Sequence, residues 1–309
     1  MGEIALNFAT LFNALPGAIA QGLIWGIMAI GVFITYKVLN YSDLTVDGTM
    51  ATGGAVCIML MMHGVNVWVA LICAIIAGML AGLATGLFHT AMGIPPILAG
   101  ILTQLSLYSI NLVIMGGKAN QAVSVTKYDL IVSSRYVKTL SLQNPILITA
   151  IIIAVLIGVL YWFFGTELGC SLRSTGANEA MSRAQGINTN TAKILGLMIS
   201  NGIVAMASAM YSHYQGFVDV NMGRGAIVIG LAAVIISQVI FGRIFRNFAM
   251  KMVAVAIGAV IYYIVIQIVL WLGLDTNLLK LLSALIVALF LALPYWKSKI
   301  NMKGGHKHA

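Results

Sequence analysis

Long apolar stretches separated by short polar ones run through nearly the whole chain. A helix that crosses a bilayer needs ~20 predominantly apolar residues, and on this criterion the pattern predicts about nine spans, with eight to ten compatible with it. The predicted spans lie at about 15–36, 49–64, 67–92, 96–116, 146–164, 194–215, 224–241, 250–272 and 277–296. The expected fold class is an all-α polytopic membrane protein, with residues 1–309 forming a single transmembrane domain.

The second predicted span is unusual because it is short and follows a polar run. At 1.5 Å per residue, residues 49–64 make a helix of about 24 Å, which is less than the ~30 Å of a hydrocarbon core. The run before it, at 41–48, has the same order of aromatic, acidic, aliphatic and polar residues as a second run at 217–225. The two runs are related by an offset of 176 residues.

These two runs predict interrupted helices within an inverted repeat. In the predicted topology the first run follows a span that descends to the cytoplasm, whereas the second follows a span that rises to the outside. The first repeat is expected over about 15–164 and the second over about 194–296. Such repeats commonly frame a transport pathway, because unwound backbone at membrane depth is tolerated only against protein or a water-filled cavity. A chance match between the two runs is the alternative.

The longest polar interruption, at 165–188, predicts a surface that binds a partner. Within it a short helix is expected at 177–185, because Asn178 is a suitable N-cap, Glu179 lies in the first turn and Gly186 can end the helix with a left-handed residue. A helix of this length is not stable in water by propensity alone. We therefore expect an external surface to order it.

The composition excludes a soluble domain. Of the 309 residues, 61% are hydrophobic and only 8% are charged, with a mean hydropathy of +1.00, whereas soluble domains carry about 25% charged residues. The formal net charge of +9 would suggest nucleic acid as a partner of a soluble protein. Here the basic residues lie at predicted membrane borders, so membrane lipid is the expected partner and nucleic acid is not.

The positions of Lys and Arg predict the orientation, because these residues resist translocation and are enriched in cytoplasmic loops. If the basic tail 297–309 is cytoplasmic, the loop 165–193 lies on the same side, as do Lys37 and the turn 243–251. Eleven of the 17 basic residues then lie inside. The N-terminus and the loop 117–144 are expected outside.

The sequence contains none of the motifs expected of an enzyme of this size. It lacks a nucleotide-binding loop, a His/Cys metal cluster and a serine-hydrolase G-x-S-x-G motif. Any ATP hydrolysis is therefore expected in another chain, and this chain is expected to bind no cofactor or metal itself.

Polar residues within or beside the spans are the candidates for a transport pathway. Such side chains either hydrogen-bond between helices or face a cavity, and the sequence leaves both roles open. The candidates are Asp43, Asp47, Gln104, Asn111, Asn201, Asp219 and Gln238. Since no carboxylate falls at the centre of a predicted span, proton-coupled transport is disfavoured.

The run from Leu172 to Ile187, together with the polar run at 41–48, resembles the permease subunits of ATP-binding cassette importers. The resemblance is strongest to the branched-chain amino acid and ribose permease superfamily, and within it to permeases of aromatic amino acid systems and of other binding-protein systems whose substrates are unassigned. In that family the loop supplies a coupling helix that docks on the ATPase. The residues that the resemblance assigns to ATPase coupling are Leu172, Arg173, Gly176, Asn178, Glu179, Ala180, Arg183, Gly186 and Ile187.

The resemblance also implies the partners. These are an ATPase subunit, which would bind ATP and Mg, an extracytoplasmic substrate-binding protein and a second permease copy forming a homodimer in the bacterial cell membrane. Leu172 and Ile187 would anchor the loop on the ATPase, Arg173, Glu179 and Arg183 would make polar contacts, and Gly176 and Gly186 would permit turns.

Two other function classes remain open at this point. A stand-alone secondary transporter would share the inverted repeat and the interrupted helices, but it would need no docking helix. A non-enzymatic membrane scaffold would explain the spans but not the two polar runs. The substrate of an importer is expected to be a small solute, and an amino acid is favoured only by the family resemblance.

Overall fold

The computed structural model describes residues 8–124, 128, 130–137, 141, 143–242 and 244–273, together with single positions and short pieces between 278 and 292. The described residues form helices α1 (Phe8–Phe33), α2 (Thr45–Met62), α3 (Val67–Thr90), α4 (Pro96–Ile114), α5 (Pro145–Phe164), α6 (Glu167–Ala177), α7 (Glu179–Ala184), α8 (Thr189–Gln215), α9 (Ala226–Phe241) and α10 (Phe248–Trp271). A π-helical turn, Ile34–Val38, continues α1, and a 3₁₀ turn covers Ser134–Tyr136.

Seven helices in the described part of the chain are long and apolar enough to cross a membrane: α1 with its π-turn, α2, α3, α4, α5, α8 and α10. Helix α9 matches the predicted span 224–241, but its 16 residues make only about 24 Å. The predicted ninth span, 277–296, lies largely outside the described residues. The molecule is thus a multi-span helical membrane protein, and the count of nine stays a prediction.

Three helices begin four or more residues before the approximate starts of the predicted spans: α1 at Phe8, α2 at Thr45 and α8 at Thr189. Helix α2 begins at Thr45 rather than 49, because the Asp43 carboxylate accepts the Thr45 N–H at 2.9 Å and so supports an earlier first turn. Helix α8 begins at Thr189 rather than 194, because the Asn188 side chain accepts the Thr191 N–H at 3.2 Å. Apolar content alone does not detect such polar first turns.

Helices α1, α2 and α8 form the centre of the bundle. Most of their residues are buried, whereas α3, α4 and α5 expose one apolar face each. On α3 this face includes Trp68, Ile72, Ile76 and Leu80. In water such a face would be unfavourable, but against lipid tails it is the expected surface of a spanning helix.

Glycines bring the helix backbones into close contact within the bundle. A Cβ atom at Gly22 of α1 would lie 2.7 Å from the Cα of Val260 on α10, and one at Gly82 of α3 would lie 2.9 Å from the Cα of Met198 on α8. Close backbone approach of this kind is how small residues stabilise helix pairs in membranes. The glycines of α1 and α3 therefore serve packing inside one chain.

The two ends of the bundle differ in character. One end, here called the basic end, contains the ends of α1 and α9, the start of α10, and helices α6 and α7. Its basic residues include Lys37, Arg173, Lys193 and Lys251. At the other, the strand end, β1 (Asn120–Ala122) and β2 (Phe217–Asp219) form a short antiparallel pair. The connections that were predicted to face the cytoplasm thus share one end.

Candidate functional site

The polar stretch predicted to bind a partner folds into two short helices at the basic end. Helix α6 was not predicted. Its N-cap is Thr166, whose hydroxyl accepts the Gly169 N–H at 3.4 Å, and Glu167 occupies the first turn. These two residues form a start signal that was readable in the sequence.

Helix α7 has the caps that the sequence predicted. The Asn178 side chain accepts the Met181 N–H at 3.0 Å, and Gly186 adopts the left-handed conformation with φ of +85°. The helix itself, Glu179–Ala184, is shorter than the predicted 177–185, because Asn178 is extended and separates it from α6.

A cluster of charged and hydroxyl groups ties α7 to the start of α8. The Glu179 carboxylate lies 2.8 Å from the Lys193 ammonium, 2.6 Å from the Arg183 guanidinium and 3.3 Å from the Thr189 hydroxyl. Arg183 also donates to Thr189 at 2.8 Å. The hydrogen bond from Lys193, with the charges of Lys193 and Arg183, holds the pKa of Glu179 below its usual range.

This cluster corrects one step of the sequence reasoning. The expectation that α7 needs an external surface to become ordered was wrong, because α8 provides Lys193 and Thr189, and α6 provides Ser174, whose hydroxyl lies 2.7 Å from that of Ser182. Glu179 accordingly binds residues of its own chain.

Two further predicted roles in the loop were wrong for a packing reason. Leu172 is completely buried, so it cannot anchor a partner. A Cβ at Gly196 of α8 would lie 2.6 Å from its side chain, which places Leu172 directly against α8. Gly176 lies inside α6 and forms no turn; a Cβ there would lie 2.8 Å from the Cα of Leu39 and would meet the carbonyl oxygen of Val38. Helix α6 is therefore pressed against the π-turn of α1.

The outer face of α7 remains free within the described chain. Met181 is 59% exposed, although it lies on a polar helix outside the spans. Ala180 and Arg183 are exposed beside it, and Ile187 is half-buried. Sequence reasoning overlooked Met181, whose signal was a single large apolar residue among polar neighbours.

The polar run at 41–48 lies buried against the central helix α8. Asp43 accepts the amide of Asn201 at 2.7 Å in addition to the Thr45 N–H. Asn201 in turn accepts the hydroxyl of Thr49 at 2.7 Å. Asp43 and Asn201 are thus partners in one hydrogen-bonded group between the start of α2 and the middle of α8.

A chain of threonines joins the same region to α3 and α4. The Thr45 and Thr85 hydroxyls lie 2.6 Å apart, and Thr85 donates to Thr103 at 2.8 Å. These buried hydroxyls satisfy one another inside an apolar bundle, where an unsatisfied polar group is costly.

Asp47 joins the two polar runs directly. Its carboxylate accepts the N–H groups of Gly225 at 3.0 Å and Ile227 at 2.9 Å, and so caps the start of α9. A Cβ at Gly223 would also lie 2.8 Å from the side chain of Met50. The run at 217–225 therefore packs against α2.

Asp219 lies at the strand end and repeats the local geometry of Asp43. Its carboxylate accepts the Asn221 N–H at 2.6 Å and the Asn120 amide at 3.4 Å. Each of the two aspartates thus accepts a backbone N–H two residues ahead and a side-chain amide from a distant element. Asn201, the partner of Asp43, lies 14 residues before the end of α8, about 21 Å along the axis, so the two aspartates lie at different depths.

The remaining candidates for the pathway are dispersed. Asn111 is buried, and its amide lies 3.5 Å from the Gly48 carbonyl oxygen. Gln104 is half-buried on α4 near Gly48. Gln238 is exposed near the end of α9, where it lines a cavity at the basic end. Gln104 and Asn111 thus both lie beside Gly48 of α2, whereas Gln238 lies apart from them at the basic end.

Comparison with known proteins gives consistent matches. The family described as "Branched-chain amino acid transport system / permease component" matches residues 15–294. The chain is 36% identical to the tyrosine transport system permease protein of Clostridioides difficile over 91% of each chain. It is 25% identical to the ribose import permease protein of Escherichia coli over 76% of this chain and 72% of that protein.

A solved structure resembles the fold. PsaBC from Streptococcus pneumoniae in complex with Fab superimposes with a TM-score of 0.53 over 93% of this chain and 95% of that chain, at 15% sequence identity. At this identity the likeness concerns the arrangement of the helices.

Proposed function

Because the chain belongs to the permease-component family of branched-chain amino acid transport systems, we propose that it carries an amino acid through the membrane. It is a permease subunit of an ATP-binding cassette importer and a multi-pass protein of the bacterial inner membrane. In such systems a separate subunit hydrolyses ATP and a binding protein delivers the solute.

The observation that carries the mechanism is the packing of α6 and α7 at the basic end. Helix α7 presents Met181 and Arg183 outward, and α6 touches the π-turn through Gly176. The π-turn leads within a few residues to Asp43 and the start of α2. A push on α7 by the ATPase would therefore reach the central helices through contacting elements, and it would bias the permease between inward-open and outward-open packings.

In this mechanism the predicted coupling residues have different roles. Ala180, Met181 and Arg183 would contact the ATPase. Glu179 and Asn178 would hold α7 in place, and Gly186 would permit its return to α8. The buried or packed members of the predicted set, Leu172 and Gly176, would transmit the movement, and Arg173 and Ile187 would lie at the edge of the docking surface.

Substitutions on the exposed face of α7 test the docking. Met181→Asp should insert and fold normally, yet co-purify poorly with the ATPase subunit and lose ATP-driven uptake. Arg183→Glu should also lose docking, but it additionally breaks the contacts of Arg183 with Glu179 and Thr189 that hold α7, so Met181→Asp is the decisive variant. Met92→Asp is the matched control, because Met92 is 66% exposed and follows α3 at the same end. If Met181→Asp and Arg183→Glu bind the ATPase as well as the control does, the docking proposal is wrong.

A secondary transporter is the competing function. It is supported if the purified chain moves a solute down an ion gradient in liposomes without an ATPase, and if Arg183→Glu leaves that activity intact. The orientation can be checked in the same preparation: an introduced Cys at 178 should not react with an impermeant reagent from outside intact cells, since the basic end is proposed to be cytoplasmic.

The substrate proposal rests on the relative degrees of similarity. The relative named for tyrosine is more similar than the one named for ribose, at 36% against 25% identity. We therefore favour an amino acid over a sugar. Uptake of labelled tyrosine, leucine and ribose by cells that express the complete importer distinguishes these classes, and uptake of ribose alone would exclude the amino acid.

The pathway is proposed to lie between the two halves of an inverted repeat, residues 15–164 and 194–296. Residues 165–193 would form the cytoplasmic coupling loop between the halves, and residues 297–309 a basic cytoplasmic tail. Two observations support the repeat. Helix α1 packs on α10 as α3 packs on α8, and in each polar run an aspartate accepts the backbone N–H two residues ahead. Two permease copies would enclose the pathway, and a single-Cys crosslinking scan of the outer helices would locate their contact.

Asp43 and Asp219 are proposed to flank this pathway at different depths. An Asn at either position can keep the backbone cap, but it brings its own NH₂ group towards the amide of Asn201 or Asn120 unless one amide turns over. We expect Asp43→Asn to reduce uptake more than Asp219→Asn, because Asp43 is only 2% exposed. Normal uptake at normal expression would remove both residues from the pathway.

A further inference from the structure

A cavity of about 590 Å³ opens at the basic end between the ends of α1 and α9, the start of α10 and the second half of α6. Its outer part is lined by Lys37, Arg173 and Lys251. All three cations lie where a spanning helix meets the membrane border, or just beyond it. The cavity is therefore positioned at the depth of lipid headgroups.

The cavity carries an unbalanced positive charge. The residues that line it in the described part of the chain include no carboxylate. The nearby acid Glu179 is occupied by Arg183 and Lys193. Since three like charges around one cavity repel each other, an anion bound among them lowers the electrostatic energy.

The guanidinium of Arg173 is partly fixed in position. Its central carbon lies 5.5 Å from the centre of the Phe248 ring, in cation–π geometry. This contact leaves the N–H donors at the edge of the guanidinium available, and such donors suit the oxygens of a phosphate group.

The inner part of the cavity is mainly apolar. Phe33 lies one turn inward from Lys37 on α1, and Ala254 lies one turn inward from Lys251 on α10; both line the cavity. On α9, Phe241 lies nearer the basic end, and Ser237 and Gln238 lie one turn inward, where they add two polar groups to the wall. The cavity is thus cationic outside and mainly apolar inside, which fits an amphipathic anion better than a free ion.

From this arrangement we propose that the cavity binds the phosphate headgroup and the adjoining acyl region of an anionic phospholipid. Basic pockets between helices at a membrane border are a recognised mode of binding such headgroups. The lipid would neutralise the charge and fill the gap between α6 and the ends of α1 and α9. This proposal concerns the isolated chain and does not rest on transport or on ATPase binding.

Native mass spectrometry of the purified full-length chain in neutral detergent tests the site. The probes are phosphatidylglycerol, phosphatidylcholine with the same acyl chains, and inorganic phosphate. We expect phosphatidylglycerol to bind at least about tenfold more tightly than phosphatidylcholine, because two or more cations favour the anionic headgroup by about fivefold each.

The double variant Lys37→Gln/Lys251→Gln should weaken phosphatidylglycerol binding by about twenty-fivefold, given about fivefold for each lysine, and should leave phosphatidylcholine binding unchanged. Both side chains are exposed, so folding should be unaffected. The matched control is Lys118→Gln/Arg224→Gln, which removes two exposed cations that do not line the cavity and should bind phosphatidylglycerol as the unaltered chain does.

Three results would overturn the proposal. Equal binding of phosphatidylglycerol by both double variants would show that the cavity is not the site. Competition by equimolar inorganic phosphate would make it a free-anion site. Displacement of the lipid by stoichiometric ATPase subunit, dependent on the same two lysines, would make the cavity a protein contact instead.

Discussion

Replacing Gly176 by Ala tests directly whether α6 and the π-turn of α1 are pressed together. The added methyl group would lie 2.8 Å from the Cα of Leu39 and from the carbonyl carbon of Val38. Carbon atoms rest at about 3.5–4.0 Å, so one of the two elements has to move by roughly 1 Å. The obstructing atoms are backbone, which cannot turn aside as a side chain can.

The free-energy cost follows from two opposing effects. Forcing extra atoms into a packed contact costs about 1–3 kcal/mol, whereas Gly to Ala in a helix gains about 0.5–1 kcal/mol through conformational entropy. Gly158→Ala shows the second effect alone, because Gly158 is also helical and a Cβ there would have no atom within 4 Å, so the difference between the two variants gives the first. The free energies of unfolding of the two variants should differ by about 1–3 kcal/mol.

The assay is thermal unfolding of both purified variants in the same detergent, followed by co-purification with the ATPase subunit. Gly158→Ala should unfold at the same or a slightly higher temperature than the unaltered chain, and Gly176→Ala should unfold at a lower one. A displaced α6 should also reduce ATPase association. If the two variants unfold at the same temperature and bind the ATPase equally, the contact between α6 and the π-turn does not exist as described.

Three further predictions concern other contacts. Asp47→Ala should destabilise the chain by about 2 kcal/mol by removing the cap of α9, with Asp47→Asn costing less because it keeps one acceptor; equal unfolding temperatures would contradict this. Because the pKa of Glu179 is lowered, its ion pairs stabilise α7 fully above the usual carboxyl pKa of about 4.3, and this stabilisation is lost as pH falls through the lower folded-state pKa. The rate of proteolysis of the 165–193 loop should therefore rise at acidic pH. In Glu179→Gln that rate should already be high at neutral pH and should not rise further on acidification. Leu172→Ala should lower the free energy of unfolding by about 2–5 kcal/mol, whereas Leu168→Ala, on the exposed face of the same helix, should change it by less than about 0.5 kcal/mol, and a similar cost for both would refute the burial argument.

Class and general architecture could be predicted because they depend on composition and on runs of apolar residues. The caps of α7 could also be predicted, since Asn178 and Gly186 act on neighbours in sequence. Helix α6 was not predicted because its residues are largely polar and the N-cap signal at Thr166 was overlooked. Local signals of this kind are readable when they are sought one residue at a time.

The roles of individual loop residues could not be predicted from the sequence, because they depend on elements that are distant along the chain. Nothing near Leu172 indicates that Gly196 leaves space for it. Nothing near Glu179 shows that Lys193 will be its partner, or that Asp47 will cap a helix that begins 179 residues later. A family motif identifies such residues as a set, and only the fold separates those that face outward from those that pack inside.

The cap that Asp47 places on α9 also limits how the two halves can move. Its two hydrogen bonds join α2 to the first turn of α9, and breaking them would leave two half-buried N–H groups without these partners. Sliding one half past the other at this point is therefore costly. If the proposed transport cycle rocks the two halves while both bonds stay intact, the halves must turn about these bonds, and displacements would be smallest near Asp47 and grow towards the basic end and the strand end.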